Sequence, residues 1–325
     1  EFRRVLFRSS ITTRMSKYAP LAEVIRNDFV ESVHYGSLAV SSESWHTWGN
    51  VDEDIFPRSA TKPLQAATMV SLGLELPDRL LALVAASHSG SASHQAGALE
   101  ILATVGLGVE ALQCPFDRPY GDSERRAFGA NPKAREVHNC SGKHAGMIAT
   151  SKINGWDIET YRDPEHPLQQ AIKSNYQQLT GVTSRFTAVD GCGAPIFSTS
   201  VKGLAKASAA LGLGTTESLA EVSRAMRAHP EMVAGEGRFT TEAMRAIPGL
   251  ILKEGAEGVE IGVLPDGTSF AFKVIDGSMR ALPVIVAAAL EFVGVTSAPL
   301  QQLAKSEVLG GGNVVGEIRS ALNQS

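Results

Sequence analysis

Ser59 and Lys62 are the residues whose types and spacing most directly suggest covalent chemistry. They lie three positions apart at the start of an apolar stretch, so a helix that begins at this segment would place both side chains on one face. A neutral, desolvated lysine can accept a serine proton, and a helix N-terminus stabilises developing negative charge. The pair indicates a serine nucleophile with a lysine base. The simpler alternative is an N-capping serine beside a solvated lysine.

A second serine-rich segment, ASHSGS over 86–91, separates two predicted helices. Its hydroxyl groups, on Ser87 and Ser89, suit a proton relay or a substrate contact, and its backbone N–H groups suit an anion. The same composition is also typical of a simple turn between helices. Composition alone leaves both interpretations open.

Two cysteines lie in separate loops bounded by glycine or proline: Cys140 in HNCSGKH (138–144) and Cys192 in DGCGAP (190–195). They could meet on one zinc ion together with a nitrogen ligand. Residue type favours His138 or His144 as that nitrogen, because a lysine must first lose its proton. The alternatives are a disulfide, two unconnected buried thiols, and a Cys140 nucleophile beside a histidine.

Asp190 and Lys253 complete the set of polar candidates. Asp190 lies in a glycine-rich loop and suits a substrate ammonium group, but equally an Asx-turn. Lys253 precedes a predicted strand pair, where a lysine near a serine site serves as a second proton carrier or carboxylate anchor. Its alternative interpretation is a solvated turn residue. Cys114 has no polar neighbours in the sequence and is interpreted as structural.

Composition restricts the class of protein. A net charge of −4 without a Lys/Arg-rich block argues against nucleic acid as a partner. Three cysteines, an odd and small number, favour a reducing compartment, so we predict a cytoplasmic protein. The longest apolar run, 281–295, is shorter than a bilayer span and contains Glu291, so no membrane association is predicted.

The chain is predicted to form one catalytic unit over residues 15–325. The arginine-rich residues 1–14 are interpreted as a non-native or disordered extension, because Met15 looks like a natural start. The sheet part of the unit is expected over about 28–58 and 250–325. The helical part is expected over about 59–249.

Apolar periodicity predicts the elements of this unit. Alternation predicts strands over 29–34, 37–41 and 45–48, and a hairpin over 258–264 and 268–275 around a Pro-Asp-Gly turn. Helical spacing predicts helices over 61–72, 77–86, 93–105, 142–154, 167–180, 198–211, 216–228, 282–292 and 314–322. This order of sheet, helices, sheet and helices is typical of an α+β protein whose distant hairpins pair in one antiparallel sheet.

Seven ordered sequence blocks resemble the bacterial L-asparaginase family typified by the inducible rhizobial enzyme. They are RSATKPLQA (58–66), ASHSG (86–90), HNCSGKHAGM (138–147), DGCGAP (190–195), HPEMVAG (229–235), KEGAEGV (253–259) and PDGTSFAFKVIDG (265–277). The resemblance implies a serine β-lactamase/glutaminase-like fold, a homodimer, and hydrolysis of L-asparagine to L-aspartate and ammonia. The alternatives are a glutaminase or related amidase on the same fold, and a non-catalytic zinc- and amino-acid-binding protein.

The resemblance also implies roles for individual residues. Ser59 and Lys62 match the family's nucleophile and base, and a second serine–lysine pair is expected. Its lysine is Lys253, and its serine is either Ser87 or Ser89.

Zinc is expected at Cys140, Lys143 and Cys192, where it would assist substrate binding more than the chemical step. The family thereby replaces the histidine favoured by residue type with a lysine.

Substrate binding is expected to involve three further residues. Asp190 would face the substrate α-amino group, with Arg58 and His88 bordering the same site. One segment departs from the family, because Ser91 and Ala92 follow ASHSG where members often have an acidic residue and a proline. The departure bears on substrate selectivity.

Overall fold

The computed structural model describes residues 17–322. The predicted N-terminal extension at 1–14 lies outside the described residues. The strands in the described part are β1 (Ala19–Arg26), β2 (Phe29–Ser41), β3 (Trp45–Trp48), β4 (Thr187–Val189), β5 (Pro195–Phe197), β6 (Ile251–Gly255), β7 (Val259–Val263), β8 (Ser269–Val274), β9 (Ser306–Gly310) and β10 (Asn313–Ser320).

The helices lie mostly between β3 and β6. Two 3₁₀ turns cover Arg58–Thr61 and Val109–Ala111. The α-helices are α1 (Lys62–Ser71), α2 (Asp78–Val84), α3 (Ala92–Ala103), α4 (Asp122–Phe128), α5 (Ser141–Ile153), α6 (Pro167–Thr180), α7 (Val201–Leu213), α8 (Glu217–Ala228), α9 (Pro230–Val233), α10 (Phe239–Ala246), α11 (Leu282–Phe292) and α12 (Ala298–Ala304). Among residues 17–322, no helix has both the length and the apolar character needed to cross a membrane.

One eight-stranded antiparallel sheet joins the two ends of the described chain. Its order is β6-β7-β8-β2-β1-β10-β9, and β3 pairs with β2 outside this path. Strand β2 pairs with β8 over residues 36–41, which sets Leu38 opposite Phe272. This pairing confirms the predicted α+β architecture, in which distant N- and C-terminal hairpins share one sheet. Strands β4 and β5 form a separate small sheet.

The centre of β2 is buried on both faces. Leu38, Ala39 and Val40 are consecutive, and none has exposed surface. Consecutive side chains of a strand point to opposite faces, so other elements must cover both sides here. Helix α7 packs against β2, β7 and β8, and helix α11 packs against β1 and β10.

The prediction of a helix over 314–322 is wrong. Residues Asn313–Ser320 form β10, which pairs with β1 on one side and β9 on the other. Val314, Val315 and Ile318 are β-branched and favour a strand, and the two neighbours satisfy the backbone groups that a helix would satisfy internally. The other predicted helices are present within a few residues of their expected ends.

The N-terminal sheet boundary also differs from the prediction. The sheet begins at Ala19 instead of near residue 28, because β1 was not predicted. The predicted strands 29–34 and 37–41 form one continuous strand through Gly36. A Cβ atom at Gly36 would lie 2.2 Å from Lys273 O, so glycine permits the close approach of β8 at this point.

The end of β6 packs against the 3₁₀ turn that carries Ser59. A Cβ atom at Gly255 would lie 2.4 Å from Pro57 O and 3.0 Å from Ala60 N. Both atoms belong to the backbone of the turn, so neither can rotate away. Glycine at 255 therefore lets the sheet edge fix the position of the turn.

We expect the substitution Gly255→Ala to lower the free energy of unfolding by about 1–3 kcal/mol, because the added methyl group pushes β6 away from the turn. Urea unfolding followed by circular dichroism measures the change. Gly108→Ala is the matched control, because the nearest atoms there belong to the movable carboxylate of Glu110. Equal stability of the two variants would contradict the proposed close packing.

Candidate active site

Ser59 lies on a cleft of about 290 Å³ between the sheet edge and the helical part. The segments that line it are remote in sequence and include Ser59, Ser87, Tyr120, Asn139, Glu254 and Met279. Ser59 is half-buried, whereas the next two residues of its 3₁₀ turn, Ala60 and Thr61, are buried. The turn runs directly into helix α1, so the hydroxyl of Ser59 sits at the N-terminal end of a helix that ends at Ser71.

Lys62 does not bond to Ser59 among the described residues. Its Nζ atom donates to the Ala86 carbonyl oxygen, to Ser87 Oγ at 3.1 Å and to Cys140 Sγ at 3.1 Å. The side chain is 1% exposed. The predicted pair thus shares one turn of chain, while the amine is held by two other segments.

Ser87, not Ser89, lies beside Lys253. Lys253 Nζ donates to Ser87 Oγ at 2.9 Å and to the Glu254 carbonyl oxygen at 2.7 Å. Ser87 Oγ therefore stands between the amines of Lys62 and Lys253. Ser89 Oγ is buried and has no hydrogen-bond partner in the described residues.

The amine of Lys253 is poised to be neutral. Burial, and after it the positive charge of the neighbouring Lys62, lowers the pKa of Lys253 well below its usual range. A lysine in this state can accept a proton at neutral pH, which an ordinary surface lysine cannot do. The serine between the two lysines is therefore placed to pass a proton from one amine to the other.

His88 does not reach the cleft. The ring has no exposed surface, its Nδ1 atom accepts from Gly90 N at 3.1 Å, and its Nε2 atom lies 2.9 Å from Ser141 Oγ. Burial lowers the pKa of His88 well below its usual range, so the ring is neutral. The role of His88 in substrate binding stays a prediction, and the structure places the ring behind the residues that line the cleft.

Arg58, the residue before Ser59, forms an ion pair with Asp190. Arg58 Nε donates to Asp190 Oδ1 at 2.7 Å, and the same oxygen accepts from Gly191 N at 2.8 Å. The Asp190 side chain is 12% exposed and that of Arg58 is 26% exposed. Arg58 adopts the left-handed backbone conformation, with φ of +54°. The structure thus brings these two predicted substrate-binding residues together. Their opposite charges suit the carboxylate and the ammonium group of an amino acid.

The three predicted zinc ligands form one buried cluster. Lys143 Nζ lies 3.1 Å from Cys192 Sγ. Stabilisation by the Cys140 thiol, followed by the nearby Lys143, lowers the pKa of Cys192 well below its usual range. The pKa of the partner thiol, Cys140, is raised by its contact with Cys192 and by burial. The histidine His144 has its Nε2 atom buried without a hydrogen-bond partner in the described chain.

This cluster fits zinc by the chemistry of its donors. Two sulfur atoms and one amine nitrogen are a soft set of the kind that zinc prefers. Among residues 17–322, no group of three or more His, Cys, Asp and Glu side chains is arranged to hold a metal, and the nitrogen that lies against Cys192 Sγ is the amine of Lys143. Neighbouring thiolate charge raises the pKa of Lys143 against the effect of burial, so metal binding must displace a proton from it.

Three residues near the lysines were not singled out from the sequence: Tyr120, Arg238 and Glu260. Arg238 Nη1 donates to the Ser87 carbonyl oxygen at 2.6 Å, and its guanidinium lies 4.8 Å from the centre of the Tyr120 ring. Glu260 is 1% exposed, and its Oε1 atom has no hydrogen-bond partner in the described part. Burial raises the pKa of Glu260 to about 8. No local motif marks these residues, because each acts through contacts with distant segments.

Comparison with known proteins identifies the family of this chain. The family model described as L-asparaginase II matches residues 22–320. No curated protein matches the chain.

Solved structures similar to this chain include Mglu in its native form, with 14% identity and a TM-score of 0.43. They also include a β-lactamase from Mycobacterium bovis, with 17% identity and a TM-score of 0.45. Each alignment covers 80% of this chain, with 64% of Mglu and 95% of the β-lactamase. This chain therefore spans less than two thirds of the length of Mglu.

Glu260→Gln should stabilise the protein increasingly as the pH rises from 4.5 to about 8. The folded-state pKa of Glu260 lies above its ordinary value, so the wild type must take up a proton on folding in this interval, and glutamine need not. The gain grows by about 1.4 kcal/mol per pH unit and then levels off. Urea unfolding at several pH values measures it, with exposed Glu75→Gln as the control. A gain that is independent of pH would show that Glu260 ionises normally.

Proposed function

Since this chain belongs to the L-asparaginase II family, we propose that it hydrolyses L-asparagine to L-aspartate and ammonia. Membership of the family supports an amidohydrolase activity. L-asparagine as the substrate and serine–lysine catalysis as the mechanism are our proposal. One observation carries the mechanism: Ser87 Oγ lies between two buried lysine amines, next to the cleft that Ser59 lines. Such an arrangement can move protons between a nucleophile and a leaving group.

The proposed reaction has two steps. Ser59 Oγ loses its proton to a neutral Lys62 and attacks the side-chain amide carbonyl of asparagine. The resulting oxyanion is stabilised by backbone N–H groups at the start of the helix, including that of Ser59. The proton taken up by Lys62 passes through Ser87 to a neutral Lys253 and on to the amide nitrogen, so the C–N bond breaks and ammonia leaves. Water then hydrolyses the β-aspartyl ester and regenerates Ser59.

The direction of the Lys253 pKa sets the expected pH dependence. Lys253 must be neutral to accept the relayed proton, and its neutral form is lost as the pH falls through its pKa. The activity should therefore fall on the acid side, whereas an ordinary lysine would already be charged at pH 7. A rate that is flat from about pH 5 to 9 would count against a lysine base.

Substrate orientation is assigned to the Arg58–Asp190 pair. Asp190 is proposed to accept from the substrate α-ammonium group, and Arg58 borders the same position with a fixed positive charge. A bidentate guanidinium is well suited to a carboxylate, so the pair can bind both charged groups of an amino acid. The amide end of the substrate would then point towards Ser59.

Cys140, Lys143 and Cys192 are proposed to hold a zinc ion. When bound, it would supply positive charge next to the substrate and so assist binding. Cys140 Sγ also lies 3.1 Å from Lys62 Nζ, so the cluster and the proposed base are in direct contact. The predicted homodimer and cytoplasmic location are part of the same proposal, and sedimentation of the purified protein measures the first of them.

Ser59→Ala should abolish ammonia release from L-asparagine, with a loss of at least about 10³-fold, because no other group replaces the nucleophile. Ammonia is measured with zinc supplied, in parallel with L-asparagine and L-glutamine. Release from glutamine alone would retain the mechanism and change the substrate. A folded wild type that binds asparagine and releases no ammonia from either amide would favour the non-catalytic alternative.

Ser87→Ala should lower kcat by at least about 10²-fold, because it removes the hydroxyl between the two lysines. Ser89→Ala is the matched control, since its hydroxyl is buried without a partner in the described residues, and it should retain most of the activity. Steady-state kinetics with the proposed substrate compares the two. A larger loss in Ser89→Ala than in Ser87→Ala would show that Ser89, and not Ser87, belongs to the second serine–lysine pair.

A further inference from the structure

Arg238 joins the segments that surround Ser87 and Lys253. The residue lies directly before helix α10, and its side chain is 17% exposed. Its Nη1 atom donates to the Ser87 carbonyl oxygen at 2.6 Å and to that of Ala234 at 3.3 Å. Its Nη2 atom donates to Glu254 Oε1, and the guanidinium stacks on Tyr120. One planar cation thus contacts three other segments of chain besides its own.

These contacts fix the backbone of Ser87. The Ser87 carbonyl oxygen accepts from Arg238, and the Ser87 N–H donates to Val233 O at 3.0 Å. Both polar groups of this residue are therefore held by the segment 233–238. The orientation of its side chain between the two lysines follows from this clamp, because the rotamer is defined relative to the backbone.

Arg238 also holds the residue next to Lys253. The Glu254 carboxylate accepts a hydrogen bond from Arg238, and the Glu254 carbonyl oxygen accepts one from Lys253 Nζ at 2.7 Å. A rotation of the Glu254 peptide would remove one hydrogen bond of the amine. The ion pair between Arg238 and Glu254 therefore restrains Lys253 through its contact with the Glu254 carbonyl oxygen.

Four charged or ionisable groups act on the pKa of Lys253. Burial is the largest cause that lowers the pKa of Lys253, followed by the positive charges of Lys62 in its protonated form and of Arg238, whereas Glu260 and Cys140 act in the opposite direction. Burial lowers the pKa of Arg238 as well, but an arginine remains charged at any pH used for an assay. Arg238 is thus a permanent positive charge near an amine that the proposed mechanism requires to be neutral.

We propose that Arg238 is a positioning residue with two separable actions: its directional hydrogen bonds hold Ser87 between the lysines, and its charge keeps Lys253 in the neutral form. The proposal rests on the proposed function for its effect on turnover. It assigns Arg238 no contact with the substrate, since Nη1 already donates to two carbonyl oxygens and Nη2 to the Glu254 carboxylate.

Two variants separate the actions. Arg238→Lys retains the charge but loses the planar fork, so it cannot reach Ser87, Ala234 and Glu254 together. Arg238→Gln loses the charge and retains one donor. Arg245→Met is the control, because Arg245 is a partly exposed arginine whose ion pairs are with Glu231, Glu236 and Glu242.

In steady-state kinetics we expect both Arg238 variants to lower kcat by about tenfold or more with little change in KM. The acid limb of kcat/KM should move to higher pH in Arg238→Gln only, by about 0.5–1 pH unit, because the loss of a nearby cation raises the pKa of Lys253. Arg245→Met should match the wild type in both measurements. A rise in KM at unchanged kcat would show that Arg238 contacts the substrate and would overturn the positioning role.

A second measurement does not depend on turnover. NMR titration of ¹³C-labelled lysine side chains, with the Lys253 signal assigned from Lys253→Arg, gives the pKa of Lys253 directly in each variant. We expect a higher midpoint in Arg238→Gln and the wild-type midpoint in Arg238→Lys. Equal midpoints in all folded variants would overturn the electrostatic action even if L-asparagine is not the substrate. Should Arg238→Gln not fold, a shifted midpoint in Arg238→Lys would overturn it as well.

Discussion

Two buried lysines share one serine hydroxyl, and the local structure offsets the cost of that contact. Lys62 and Lys253 are each 1% exposed, and their Nζ atoms lie 3.1 and 2.9 Å from Ser87 Oγ. Two ammonium groups this close in a buried site repel each other and are poorly solvated, so the neutral form of one amine is favoured. The Ala86 carbonyl oxygen accepts a further hydrogen bond from Lys62, and the Glu254 carbonyl oxygen accepts one from Lys253.

The cysteine cluster and the lysine pair form one electrostatic unit. Cys140 Sγ accepts from Lys62 on one side, and the Cys140 thiol stabilises the Cys192 thiolate on the other. Any change of charge at the cluster, including the proposed zinc, is therefore felt by Lys62 at short range. In the proposed mechanism, substrate binding at the cysteine cluster and proton transfer through Lys62 therefore depend on each other.

The fold is what makes these contacts possible. Ser87 and Lys253 are separated by 166 positions, and Lys62 and Cys140 by 78. Strand β6 brings Lys253 to the site at the edge of a sheet whose centre, β2, comes from the other end of the described chain. The glycine at the end of β6 then lets that edge lie against the turn of Ser59. Rigid elements thus hold groups whose positions must be correct within a fraction of an ångström.

The sequence by itself determined the local features and the chemical types. Helical spacing located the helices of the middle, the Pro-Asp-Gly turn located a hairpin, and the S-x-x-K spacing placed Ser59 and Lys62 on adjacent turns. These signals are readable because they depend on neighbours within a few positions. The seven ordered blocks predicted the family for the same reason, as each is a contiguous string.

Only the tertiary structure decided which of these groups meet. It placed Ser87 and not Ser89 beside Lys253, and it placed the amine of Lys143 against Cys192. It also made a strand of residues predicted as a helix, because pairing partners on both sides outweigh a local apolar period. Arg238 and Glu260 carried no local signal at all. Their importance lies in burial and charge, which depend on what the folded chain packs around them.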